Sequence, residues 1–193
     1  TFIFGQGDDY TIFMTEGCQH EYTFRKPILS SYKNSILQSA LIMLVGIGTL
    51  IISKHPAMRS LAEVTIVGMV SVVLMSYTFP PLLFKWLTMK GGKYRIYPIT
   101  LASLVCDVPN DPVKLVKGRY LYKGMSIMNT VKRNLKTNSK SLKDINLSGK
   151  TEFTFNDNGY GESAILLALL NPNVKIIAHM ADDNRRDIAI ISA

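Results

Sequence analysis

With 193 residues, 47% of them apolar, and a net charge of +8, the chain has the length of one soluble domain, but its residues are too unevenly spread for one. Asn34–Ser53 and Val64–Phe84 contain no charged residue, whereas the basic surplus lies in the second half: residues 1–88 hold six Lys/Arg against five Asp/Glu, the remainder sixteen against nine. Cys18 and Cys106 lack metal-type spacing and no cluster forms with His20, His55 or His179, so reduced thiols and no structural metal are expected.

Residues 1–16 read as the surviving part of a first transmembrane helix, apolar except for Asp8, Asp9 and Tyr10. Because the sequence opens inside this apolar segment, it is expected to extend further toward the N-terminus. A polar loop follows over 17–33, then a second helix over Asn34–Ser53 and a tight turn at Lys54–Pro56. A third helix is predicted from about residue 62 to Thr88, with Pro80 and Pro81 kinking its last turns. Each charge-free stretch is about 20 residues, which at 1.5 Å per residue crosses a hydrocarbon core of roughly 30 Å. Lys33, Lys54, Arg59, Lys85, Trp86 and Lys90 stand where side chains anchor or snorkel at an interface. Neither stretch has the short core and cleavage site of a signal peptide.

Lys and Arg counts set the orientation. Arg25, Lys26 and Lys33 precede the second helix and Lys85, Lys90, Lys93 and Arg95 follow the third, against Lys54 and Arg59 between them. The 17–33 loop and the C-terminal tail are therefore placed in the cytoplasm.

Residues 89–112 read as a Gly- and Pro-containing linker before a tail over 113–193. Within the tail, Arg119–Lys123 alternates as a short strand would, and 125–137 suits an amphipathic helix with Ile127, Val131 and Leu135 on one stripe. A strand over Glu152–Asn156, a turn at Asn158–Gly161, a helix over Glu162–Leu170 and a strand over Val174–His179 complete one βαβ unit. The expected fold is thus an α-helical integral membrane bundle followed by a small α/β, Rossmann-like cytoplasmic tail.

A carboxylate at the centre of a transmembrane helix costs roughly 2.5–3.5 kcal/mol on insertion scales. Such residues mark proton or ion pathways, which points to Asp9, with Tyr10 as a hydrogen-bonding neighbour, as a proton relay. Asp9 shares a stripe with Gly5, where a partner helix could approach and shield the charge. Asp8 reads equally as a relay partner or as a solvated residue at the helix edge.

These residues also carry a resemblance. GQGDDYTIFM, the helix and turn SSYKNSILQSALIMLVGIGTLIISKHPAMRS, and the helix ending SYTFPPLLF resemble, over residues 1 to about 88, the resistance-nodulation-division superfamily in its branch of mycobacterial membrane protein large exporters. The resemblance implies the last three helices of a twelve-helix, proton-driven inner-membrane exporter of lipids or other hydrophobic compounds. It places the relay aspartate on Asp9 and its tyrosine on Tyr10. The partners implied are membrane lipids, a lipid or hydrophobic substrate, and the remaining helices and extracytoplasmic domains of the whole transporter. Where many relatives carry a Thr pair in the following helix, this chain has Ile42 and Met43, leaving Ser35, Gln38 and Ser39 as that helix's polar groups. Gly46 and Gly48 read as close-packing positions or as ordinary transmembrane glycines.

Asn158, Gly159, Gly161 and Glu162 lie between a strand and a helix, where a nucleotide or S-adenosylmethionine could sit at the helix N-terminus. The acidic residue that binds ribose would end the next strand, but Met180 stands there, with Asp182 and Asp183 beyond it. This tail resembles a truncated methyltransferase-like domain of some exporters in the same branch. It has no His-x4-Asp acyltransferase motif, so that activity is not carried over, and with one βαβ unit and no catalytic group, no enzyme activity or cofactor is expected. The alternative reading is a membrane-anchored enzyme or cofactor-binding module whose tail holds S-adenosylmethionine or a nucleotide. Between Val113 and Lys150 there are ten Lys/Arg against the single acid Asp144, which reads as contact with anionic lipid or as a solvated basic face. No nucleic-acid partner is expected.

Overall fold

The computed structural model describes residues 2–100, 111–145, 147 and 149–193, and the chain divides into two compact units. The first holds the helices up to Trp86; the second holds Tyr22–Arg25 and the chain from Leu87 onward.

Three helices make the first unit: α1 (Phe2–Phe24), α2 (Leu29–Gly48, continued by a 3-10 turn over Thr49–Ile52) and α3 (Pro56–Thr88). Arg25 closes α1 in a left-handed conformation (φ 54°), and Pro27 bars its continuation. Pro56 opens α3 at the position where a missing N–H costs nothing, and α3 runs unbroken past Pro80 and Pro81. Ile3 meets Gly68, Gly7 meets Val72, and Thr11 Oγ1 lies 3.2 Å from Ser76 Oγ, so α1 and α3 run parallel at a constant offset of 65 residues. α2 runs antiparallel to them, with Tyr10 facing Ser39 and Gly17 facing Tyr32. Tyr10, Met14, Ile36, Ala40 and Met69 form the common core.

Two segments are long and apolar enough to cross a membrane, Leu29–Ile52 and Pro56–Thr88. The outward faces of both stay apolar: Ile42 is 66% and Val45 70% exposed on α2, Val67 67% and Leu74 61% on α3. Central helices of a soluble protein would bury such faces, whereas lipid accepts them. α1, with Asp8, Asp9, Glu16 and Glu21, is not one of these two segments.

The second unit opens with a hairpin, β1 (Met89–Lys90) and β2 (Lys93–Tyr94), turned by Gly91 and Gly92 at φ 59° and 79°. Then follow α4 (Pro112–Arg119), α5 (Met125–Lys143), β3 (Glu152–Asn156), α6 (Glu162–Leu170), β4 (Lys175–His179) and α7 (Asp183–Ser192). β3 and β4 pair in parallel, Glu152 opposite Lys175 through Asn156 opposite His179, with α6 as the crossover of one βαβ unit. Val116, Tyr120, Met128, Val131, Leu135, Ile165, Leu166 and Ile188 form the core.

Several expectations are corrected. The predicted 17–33 loop is helical as far as Phe24, because the segment packs: Cys18 is buried, and a side chain at Gly17 would stand 2.8 Å from Tyr32 Cγ. α2 therefore begins at Leu29 rather than Asn34. Arg119–Lys123 is no strand; it ends α4 and turns into α5. The amphipathic helix runs on to Lys143, with Val131 and Leu135 buried as expected and Met128 beside them. The expected linker contains the β1–β2 hairpin, while its residues 101–110, Cys106 among them, lie outside the described residues. The alternation of Arg119–Lys123 is absorbed by four separate jobs. Arg119 donates to the carbonyls of Ser192 and Ala193, Tyr120 to that of Tyr160 and Tyr122 to that of Ile99, while Lys123 reaches Ile188 and Ser192.

Candidate functional site

The helical unit brings part of the predicted relay together. Asp9 and Tyr10 on α1 and Ser35 and Ser39 on α2 line a cleft of about 300 Å³ with Phe13 and Ile36. Tyr10 is buried and its hydroxyl lies 3.4 Å from Ser39 Oγ. Ser35 and Ser39 share a face because they stand one helical turn apart. Gln38 and Asp8 are exposed and do not line the cleft. With the offset of 65 residues, Asp9 is level with Leu74, midway along the charge-free run of α3 from Val64 to Phe84.

A side chain at Gly5 would meet nothing within 4 Å, and the same holds at Gly46 and Gly48. Gly7 is the glycine beside the acids that permits close approach, since a Cβ there would stand 3.3 Å from Val72 Cγ1. The hydroxyl contact between Thr11 and Ser76 was not foreseen; their spacing from the acids gives no signal until the register of α1 on α3 is known.

In the second unit, Asp157 Oδ1 accepts from Gly159 N at 2.8 Å, which tightens the turn after β3. Gly161 has φ 85°, and a Cβ there would stand 2.6 Å from that of Ala189. A Cβ at Gly159 would run into the Glu162 carboxylate. Glu162, fully buried, accepts from Asn134 Nδ2 and from Tyr160 N, both at 2.7 Å. Both glycines thus have their reason inside the chain, and Glu162 serves the chain's own donors at the start of α6. Glu162→Ala is expected to destabilise this unit by roughly 2–4 kcal/mol, since it orphans the Tyr160 N–H and the Asn134 amide. Denaturant unfolding of the two proteins side by side measures it.

Next to this turn lies an open cavity of about 530 Å³, bounded by α5, the end of β3 and the start of α6. Arg133, Asn138, Asp157, Asn158 and Arg185 line it, together with Ser163; Gly161 and Glu162 do not. Of the basic residues counted in the tail, Lys132, Arg133, Lys136 and Lys140 are exposed on α5, whereas Lys123 is 3% exposed. Burial, and then the charges of Arg25 and Arg119, push the Lys123 ammonium from 10.5 down to about 7. Burial pushes the Tyr120 phenol up. Among the described residues no three His, Cys, Asp or Glu converge on a point where a metal could bind.

Comparison with protein-family models, with curated proteins and with solved structures gives no match.

Proposed function

We propose that the helical unit is part of a proton-driven exporter of lipids or other hydrophobic compounds, of the resistance-nodulation-division type, in a bacterial inner membrane with the tail cytoplasmic. The observation that carries this reading is the carboxylate of Asp9, level with the middle of the charge-free run of α3 and in one cleft with the hydroxyls of Tyr10, Ser35 and Ser39. A phenol and two serine hydroxyls can donate to a carboxylate or accept from a carboxylic acid, so the cleft accommodates both protonation states. Ser35 and Ser39 supply the hydroxyl pair that Ile42 and Met43 lack, on an earlier turn of the same helix.

In this reading, Asp9 takes a proton from one side of the membrane and the neutral form settles into apolar surroundings. Loss of the proton restores a charge that favours a different packing of the helices, and the two packings couple proton flow to export. Asp8 and Asp9, exposed in this three-helix unit, face the remaining helices of the transporter. The exposed Lys and Arg of α5 meet anionic headgroups, each contributing on the order of 1 kcal/mol near the surface.

Export from proteoliposomes containing the whole transporter tests the proposal. Export is expected to require an imposed pH gradient and to stop when a protonophore collapses it. Export that continues without a gradient contradicts proton coupling.

A further inference from the structure

We infer that the cavity beside the β3–α6 turn binds a small phosphorylated polyol, its hydroxyls on Asp157 and its phosphate between Arg133 and Arg185. This inference does not depend on the transport reading, because every residue involved belongs to the second unit.

Asp157 supplies the strongest reason. It is 7% exposed and lines the cavity, yet its Oδ2 has no hydrogen-bond partner, the other oxygen being taken by Gly159 N. Buried carboxylate oxygens are rarely left so, and a ligand hydroxyl entering the cavity would donate to it. The Arg133 guanidinium is exposed and has no partner among the described residues. Arg185 is held in place by Asp182 at 3.3 Å, by the carbonyl of Asn158 and by the Tyr160 ring at 5.5 Å. With five N–H donors on a planar fork it retains donors for an anion, and such forks match phosphate geometry.

The remaining lining sets the ligand's class. Asn138, Asn158 and Ser163 offer donors and acceptors, whereas Leu142 is among the few apolar side chains, which suits hydroxyls and not an acyl chain. A volume of about 530 Å³ has room for a sugar phosphate or a mononucleotide. Glu162, buried at the start of α6, occupies with its own carboxyl the place where a phosphate would otherwise meet the helix N-terminus, which leaves the two arginines to receive it.

The test is calorimetric titration of the full chain, in detergent free of sugar and phosphate headgroups, with ribose 5-phosphate, adenosine 5′-monophosphate, glycerol 3-phosphate, inorganic phosphate and ethanolamine. Saturable binding of at least one organic phosphate is expected, with inorganic phosphate weaker by tenfold or more. A preference for glycerol 3-phosphate assigns the site to a lipid headgroup, and a preference for either ribose compound to a soluble metabolite. Asp157→Asn, which keeps the acceptor for Gly159, and the surface change Arg133→Ala should each weaken binding at least tenfold with an unchanged circular dichroism spectrum. Four results overturn the inference: no saturable binding of any phosphorylated probe, equal affinity for inorganic phosphate, binding indifferent to both substitutions, or tighter binding of ethanolamine, which would give Asp157 a cation.

Discussion

On the proposed transport reading, Asp9→Asn in the exporter that contains this chain is expected to abolish proton-coupled export while leaving the protein inserted in the membrane. Asparagine keeps the shape of the side chain and its capacity to hydrogen-bond Tyr10, Ser35 or Ser39, but cannot carry a proton. Insertion should be as good or better, because a carboxylate at mid-depth in a bilayer costs roughly 2.5–3.5 kcal/mol and an amide less. Asp8→Asn is the matched control. Asp8 does not line the cleft, so this neighbour should retain export. Proteoliposome transport at matched protein content measures both. Undiminished export by Asp9→Asn would remove Asp9 from the mechanism, and equal loss in both variants would mean that charge at this depth matters more than the cleft.

The second large effect concerns stability of the second unit against pH. Lys123 is buried with its Nζ directed at Ser192 Oγ and the carbonyl of Ile188, and its ammonium is depressed from 10.5 to about 7. The unfolded chain therefore binds a proton between pH 7 and 10.5 that the folded chain does not, so stability rises with pH across that window. Below pH 7 both states are protonated and the penalty is constant at about 5 kcal/mol; above 10.5 it vanishes. Tyr120 acts in the opposite sense. Its phenol is raised above 10.0, so the stability it contributes is lost as pH climbs beyond that value. The combined curve should climb from pH 7 and turn over near pH 10. Lys123→Met should raise stability at pH 7 and flatten the climb, leaving Ser192 satisfied through its own bond to Ile188 O. Circular dichroism melts between pH 6 and 10 follow this directly. A steep climb that persists in Lys123→Met would assign it to another group.

The sequence was most informative where one physical pattern dominates. Absence of charge over a span's length marked α2 and α3, and alternation in Glu152–Asn156 beside the apolar run of α6 marked the βαβ unit. It misled where polarity and packing disagree. The segment from Gly17 to Phe24 is polar enough to read as a loop, yet the approach of Tyr32 to Gly17 keeps its first turn packed and helical. Arg119–Lys123 alternates by coincidence: Arg119, Tyr120, Tyr122 and Lys123 are each held by a hydrogen bond to a carbonyl elsewhere in the unit. Two helix starts carry their signal in the sequence. Asp111 caps α4, with Pro112 at its first position, and Asp182 caps α7 by accepting from Asn184 N. The pairing of Asp9 and Tyr10 with Ser35 and Ser39, by contrast, depends on the register of an antiparallel helix pair, which periodicity alone does not fix.

The central claim is that Asp9 sits at mid-depth in lipid, level with Leu74. Spin labels placed in turn at positions 59, 67, 74 and 85 of the bilayer-reconstituted protein, with relaxation by oxygen against a water-soluble nickel chelate, measure that depth. The account predicts oxygen-dominated relaxation that peaks at 74, with 59 and 85 accessible to the chelate. Chelate access to 67 and 74 as free as at 59 would place these helices in water and contradict it.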